Sequence, residues 1–113
     1  MAETDFRWNL VFETKVEKDE YIQEGRVSKI RVNEQWICLV LSNGKLYAFD
    51  ESCPHQGHPL VHGHCEDGKI ECPLHRYQFD LETGQGHGLS LQTYPVKEED
   101  GKVYVAFKKN FWS

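Results

Sequence analysis

Two short stretches of this sequence carry residue types that bind metal. Cys53-Pro54-His55 is followed, after sixteen residues, by Cys72-Pro73-Leu74-His75. Each stretch offers one thiolate and one imidazole, so folding the two together creates a set of two Cys and two His. Zinc accepts such a set tetrahedrally, although its fingers usually pair both Cys on one arm and both His on the other. The second chemistry is a [2Fe–2S] cluster with Cys on one iron and His on the other. Mixed arms satisfy it directly, because both Cys can face an inner iron and both His an outer one.

The chain holds four Cys and six His, and all but Cys38 and His87 lie between residues 53 and 75. The N-terminus is acidic and lacks an apolar stretch, so no secretory signal is expected and the thiols should stay reduced in a cytoplasmic protein. That favours metal binding over a disulfide framework. Cys38 sits in an apolar run and reads as a core residue; Cys65 reads as a small residue near the metal loops. His58, His62, His64 and His87 read as solvated loop residues that could ring the exposed end of the site. Trp8, Trp36 and Trp112 read as packing residues. Thirteen basic against eighteen acidic residues leave a net charge of −5. Nucleic acid and anionic membranes both reward a basic face, so neither is an expected partner. No apolar run approaches the ~20 residues of a spanning helix. No Ser–His–Asp set, phosphate loop or dinucleotide fingerprint marks a standalone enzyme.

The elements that must position these residues are mostly strands in a single 113-residue domain. Phe6–Phe12, Val27–Val32, Trp36–Leu41 and Leu46–Phe49 read as strands. Asn43-Gly44 supplies the two positive φ angles of a type I′ turn, which makes the last two an antiparallel hairpin. Gln92–Val96 and Val103–Phe107 flank Asp100-Gly101 as another. Glu17–Glu24 is compatible with a helical turn or a loop. Between the hairpins, residues 51–90 hold six of the nine glycines and three of the four prolines. Such a loop-rich stretch inside a β protein is expected to be functional. Its apolar Leu60, Val61, Leu74, Phe79 and Leu81, and a short strand Lys69–Glu71, give it a small fold of its own.

Cys-Pro-His-Gln-Gly-His-Pro-Leu and Cys-Pro-Leu-His-Arg-Tyr-Gln-Phe-Asp-Leu-Glu-Thr-Gly, at 53–60 and 72–84, resemble the two cluster-binding boxes of the Rieske family. The length and strand pattern resemble the small soluble Rieske-type ferredoxins. The resemblance implies an all-β fold. Its base is an antiparallel β-sandwich or barrel (1–49 with 85–113), and a smaller cluster-binding subdomain (approximately 50–84) is inserted into it. It also implies one [2Fe–2S] cluster, with Cys53 and Cys72 on the buried iron and His55 and His75 on the outer one. The implied function is electron transfer from a flavin-containing reductase to a terminal oxygenase. The alternatives are a small subunit of a reductase complex such as nitrite reductase, or a zinc-stabilised binding module. Quinol-oxidising Rieske proteins resemble this chain but join their cluster loops by a disulfide; His58 and Leu74 stand at the matching positions. Tyr77 and Phe79 stand where that branch has hydroxyl donors to the cluster sulfurs, and Phe79 cannot donate. Fewer donors imply a low-potential cluster within the Rieske class. Two thiolates on a +2 core leave no net charge, so the potential should still exceed that of a four-Cys cluster. Backbone N–H groups of 56–58 and 74–77 are expected to point at the sulfurs.

Overall fold

The computed structural model describes residues 6–108. The strands are β1 (Phe6–Phe12), β2 (Ser28–Val32), β3 (Gln35–Ser42), β4 (Lys45–Asp50), β5 (His64–Glu66) and β6 (Lys69–Glu71). They continue with β7 (Gln78–Asp80), β8 (Gln85–Gly86), β9 (Leu89–Ser90), β10 (Thr93–Tyr94), β11 (Val96–Glu99) and β12 (Lys102–Lys108). One α-helix, α1 (Lys15–Tyr21), follows β1. The all-β reading holds.

Two-residue turns set the topology. Asn33-Glu34, Asn43-Gly44, Asp67-Gly68, His87-Gly88 and Asp100-Gly101 have positive φ at both positions. Each joins two antiparallel strands, as type I′ geometry requires. Asn43-Gly44 and Asp100-Gly101 therefore behave as expected.

Strands β10-β4-β3-β2 form one sheet and β1-β12-β11 another. The expected strand Gln92–Val96 is broken at Pro95, which has no N–H to give a ladder. Thr93 pairs with Phe49 in the first sheet, while Val96 pairs with Val105 in the second. The chain changes sheets at that proline, whose carbonyl still accepts from Ala106 N–H at 2.9 Å.

The run Trp36-Ile37-Cys38-Leu39-Val40-Leu41 does not alternate, and the structure shows why. Ile37 and Leu39 of β3 join Phe12, Ile22, Leu46, Val103 and Val105 in a core between the two sheets. Cys38 and Val40, on the opposite face, join Phe49, Cys53, Leu60, Cys65, Ile70, Cys72 and Phe79 in a second core. A strand buried on both faces has no polar side to display. The loop-rich segment thus packs on the outer face of the four-stranded sheet. It contains a three-stranded sheet, β5-β6-β7, and the small β8–β9 hairpin.

The helix begins at Lys15, two residues before the Glu17–Glu24 segment that is compatible with a helical turn or a loop. Thr14 Oγ1 accepts from Glu17 N–H at 3.1 Å, and Glu17 Oε1 accepts from Glu13 N–H at 3.1 Å. Thr14-x-x-Glu17 is a capping-box signature displaced by one residue at its return bond. The tryptophans depart from expectation: Trp8 and Trp36 are 42% and 43% exposed. Both lie on outward faces of their strands under cations, with Lys97 4.6 Å from the Trp8 ring and Lys29 4.9 Å from the Trp36 ring. Trp112 lies outside the described residues.

Candidate metal centre

The two sequence boxes form two loops of the same construction. In the first, Cys53 N–H donates to His58 O at 2.9 Å; in the second, Cys72 N–H donates to Tyr77 O at 2.7 Å. Each bond closes a six-residue loop at the end of an antiparallel pair. The first loop is flanked by the Ser52–Pro59 bridge and the second by the β6–β7 ladder, with Glu71 opposite Gln78. The fifth residue of each loop is left-handed, Gly57 at φ +73° and Arg76 at φ +57°. His75 joins Arg76 in that region at φ +66°. Two successive side-chain-bearing residues there are strained, and such strain persists only where surrounding bonds over-determine it.

These loops bring the four predicted residues to one place as two pairs. Cys53 and Cys72 are buried, and the Cys53 thiol lies close enough to Cys72 to shift it. The rings of His55 and His75 lie 5.5 Å apart, edge to face at 72°, with His75 exposed and His55 partly covered. Burial pushes the Cys72 thiol above its ordinary range, and the neighbouring Cys53 adds to the shift, while a hydrogen bond from the Leu74 N–H opposes them. The Cys72 sulfur therefore favours the neutral form until a positive centre arrives to stabilise its thiolate. Leu74 is one of the amides expected at a sulfur. The Gly57 N–H is not available for that role, because it donates to Cys53 O at 2.7 Å.

The residues fit a two-iron cluster in their donor chemistry, two thiols and two imidazoles, and in one observation. The Nδ1 of His55 is buried and has no hydrogen-bond partner, a costly arrangement for a polar atom unless its lone pair has a use. A pair of neighbouring thiols and a pair of contacting imidazoles offer two donors to each of two metal positions.

The other candidates separate cleanly. Cys38 is fully buried, as expected of a core residue, and burial holds its thiol up at about 12. Cys65 is buried in β5, where the Ser42 side chain lies beside its sulfur. It links the metal-loop segment to β3. All four cysteines are free thiols. His62 is exposed, and His64 is exposed and paired with Glu66 at 2.9 Å. His58 is partly covered and contributes its carbonyl to the first loop. His87 is exposed but not simply solvated: its ring stacks on Tyr77 at 4.4 Å, and Tyr77 stacks on His55 at 4.2 Å. Reading the sequence did not find this Tyr77–His87 contact. The only local signal was a His-Gly pair compatible with a type I′ turn, which says nothing about where the turn lands.

Comparison with known proteins gives the same answer. Residues 12–98 match the Rieske [2Fe-2S] domain. The ferredoxin component of the alkene monooxygenase system of Xanthobacter autotrophicus is 40% identical over 86 residues, covering 73% of this chain and 70% of that protein. A chain in the solved complex of reduced oxygenase and oxidized ferredoxin in carbazole 1,9a-dioxygenase superposes with a TM-score of 0.68. Its identity is 27%, over 74% of this chain and 91% of that one. The putative NADH-dependent nitrite reductase small subunit of Mycobacterium tuberculosis has a TM-score of 0.77 at 17% identity, over 93% and 98% of the chains. That last likeness speaks to the fold alone. With the two boxes carried on paired loops and the match spanning most of its length, the chain belongs to the Rieske [2Fe-2S] domain family.

Proposed function

We propose that this protein is a one-electron carrier of the cytoplasm that takes electrons from a flavin-containing reductase and delivers them to a terminal oxygenase. The observation that carries the reading is a pair of buried cysteines and a pair of contacting imidazoles on two loops of the same construction. In this reading Cys53 and Cys72 hold the inner iron, and His55 and His75 the outer one. When bound, the cluster supplies one-electron redox chemistry at a potential above that of four-thiolate clusters. The chain's own residues do the rest. The buried thiolates keep the inner end away from water, and the exposed His75 gives a partner close access to the outer end. The whole chain acts as one Rieske domain, whose cluster-bearing part begins near residue 50. The alkene monooxygenase relative and the carbazole dioxygenase complex favour an oxygenase as the electron acceptor. A place as a subunit of a nitrite-reductase-like complex has only a likeness of fold behind it.

Iron analysis and EPR of the reduced protein test the assignment. Two irons per chain and a Rieske-type signal are expected in the wild type, and His75→Ala should lose that signal. Cys38→Ala should keep it. A colourless, EPR-silent protein holding one zinc would overturn the reading. A redox titration should place the midpoint near the lower end of the Rieske range, about −150 mV, since His58 and Leu74 replace a disulfide and Phe79 replaces a hydroxyl.

A further inference from the structure

A third loop, outside both boxes, reaches the metal centre. The β8–β9 hairpin turns at His87-Gly88, with φ +54° and +75°. Gly86 lets it lie directly against β7: a Cβ there would stand 2.0 Å from Gln78 O. Gln78 also fixes the tip, because its N–H donates to His87 Nε2 at 3.1 Å. A ring nitrogen that accepts carries no proton, so this bond places the His87 proton on Nδ1. The edge of Phe79 meets the same ring, with centroids 6.4 Å apart at 73°. Held in this way, His87 stacks on Tyr77 with an interplanar angle of 22°, and Tyr77 stacks on His55 at 18°.

We propose that His87 is a positioning residue for His55, acting through Tyr77, so that a stack of three rings fixes the plane of one outer ligand and shields its face from water. The inference rests on the reading of His55 as a cluster ligand. An imidazole bound through one nitrogen keeps a rotation about that bond. Here one face is covered by Tyr77, and His75 abuts the ring edge to face, so the rotation has little room. His75 has no stacking partner among the described residues. The two outer ligands are therefore inequivalent: His55 is fixed, and His75 is open to a partner.

The test uses the cluster-loaded full chain with His87→Ala, His87→Phe and His87→Gln. Phe keeps a ring and loses the acceptor for Gln78, whereas Gln keeps a polar group and loses the ring. Pulsed EPR reads the nitrogen couplings of the two imidazoles separately. The Ala and Gln variants should retain two irons while one of the two nitrogen couplings shifts and the other stays. Their loss of cluster to a chelator should be about two- to tenfold faster, the factor a lost aromatic stack is worth. The Phe variant should match the wild type in both. Should the Ala variant fail to fold, the Phe and Gln pair still decides. Unchanged couplings and chelation rates in the Gln variant, or a wild-type-like Gln with an altered Phe, would overturn the inference while leaving the cluster assignment standing. A wild type without any Rieske signal would overturn both.

Discussion

At the scale of single residues, the four cysteines show how one side chain takes different roles according to its surroundings. Cys53 and Cys72 share their burial with Cys38 and Cys65, and all four belong to the same core. What separates them is the company at the sulfur. Cys72 has a second sulfur and a backbone N–H beside it. Cys38 has mainly apolar neighbours, so desolvation moves its thiol from the ordinary 9.0 to about 12. A raised folded-state value means the unfolded chain ionises first. Cys38 therefore costs no stability below pH 9.0, and stability falls as the pH rises from there toward 12. The thiolate is the reactive form, and at pH 8 such a shift leaves roughly a thousandfold less of it than in the unfolded chain. Iodoacetamide at pH 8 should accordingly leave Cys38 unmodified in the native protein and alkylate it readily in denaturant, with peptide mass spectrometry as the readout. Rapid native-state alkylation would show that the strand opens more easily than its burial implies. Cys53 and Cys72 were recognisable from spacing because each stands at a fixed offset from a histidine; Cys38 was recognisable from the apolar run around it.

Among the elements, the β8–β9 hairpin connects local backbone chemistry to the centre. Its position depends on Gly86 and its turn on Gly88, and the two glycines are needed for different reasons. A methyl at Gly86 collides with the backbone carbonyl of Gln78, whereas a Cβ at Gly88 meets nothing within 4 Å and suffers only the left-handed backbone. Gly88→Ala should therefore cost about 1–2 kcal/mol, the penalty of that backbone for an L-residue. Gly86→Ala should cost more, about 3 kcal/mol, because strand β7 or the hairpin must move. Urea midpoints of the two variants measure the difference, and equal midpoints would mean that the hairpin does not press on β7 as described. The Asn-Gly and Asp-Gly turns were legible because few other pairs tolerate two left-handed residues. Asn33-Glu34 was not, because glutamate carries no such signal and is held there by the β2–β3 pairing. The start of α1 was present in Thr14-x-x-Glu17, but the helix is seven residues long and buries no side chain, so no apolar periodicity announced it.

For the whole molecule, the metal-loop segment and the base share β3 and β4 as a common wall. Leu39 faces one core and its neighbours Cys38 and Val40 the other. Removing either side would expose a full face of that sheet, so the two should not unfold separately. Native-state hydrogen exchange of the cluster-loaded protein should give Ile70 of β6 and Leu39 of β3 the same opening free energy and the same denaturant dependence. A markedly lower value for Ile70 would show that the metal-loop segment opens on its own. The charge of −5 belongs to this scale as well: in the proposed role it would act on encounter with a redox partner.

The sequence by itself determined the chemistry of the centre, most of the strand content and two of the five two-residue hairpins. These depend on short-range facts: ligand spacing within a box, φ preferences within a turn, and polarity along a strand. Only the tertiary structure decided that β3 is buried on both faces, that Pro95 passes the chain between sheets, and that Trp8 and Trp36 lie outside under cations. It alone brought His87 onto Tyr77 and Tyr77 onto His55. Contacts between residues of different elements depend on how sheets and hairpins pack, and no local pattern in the chain encodes where a hairpin tip will come to rest.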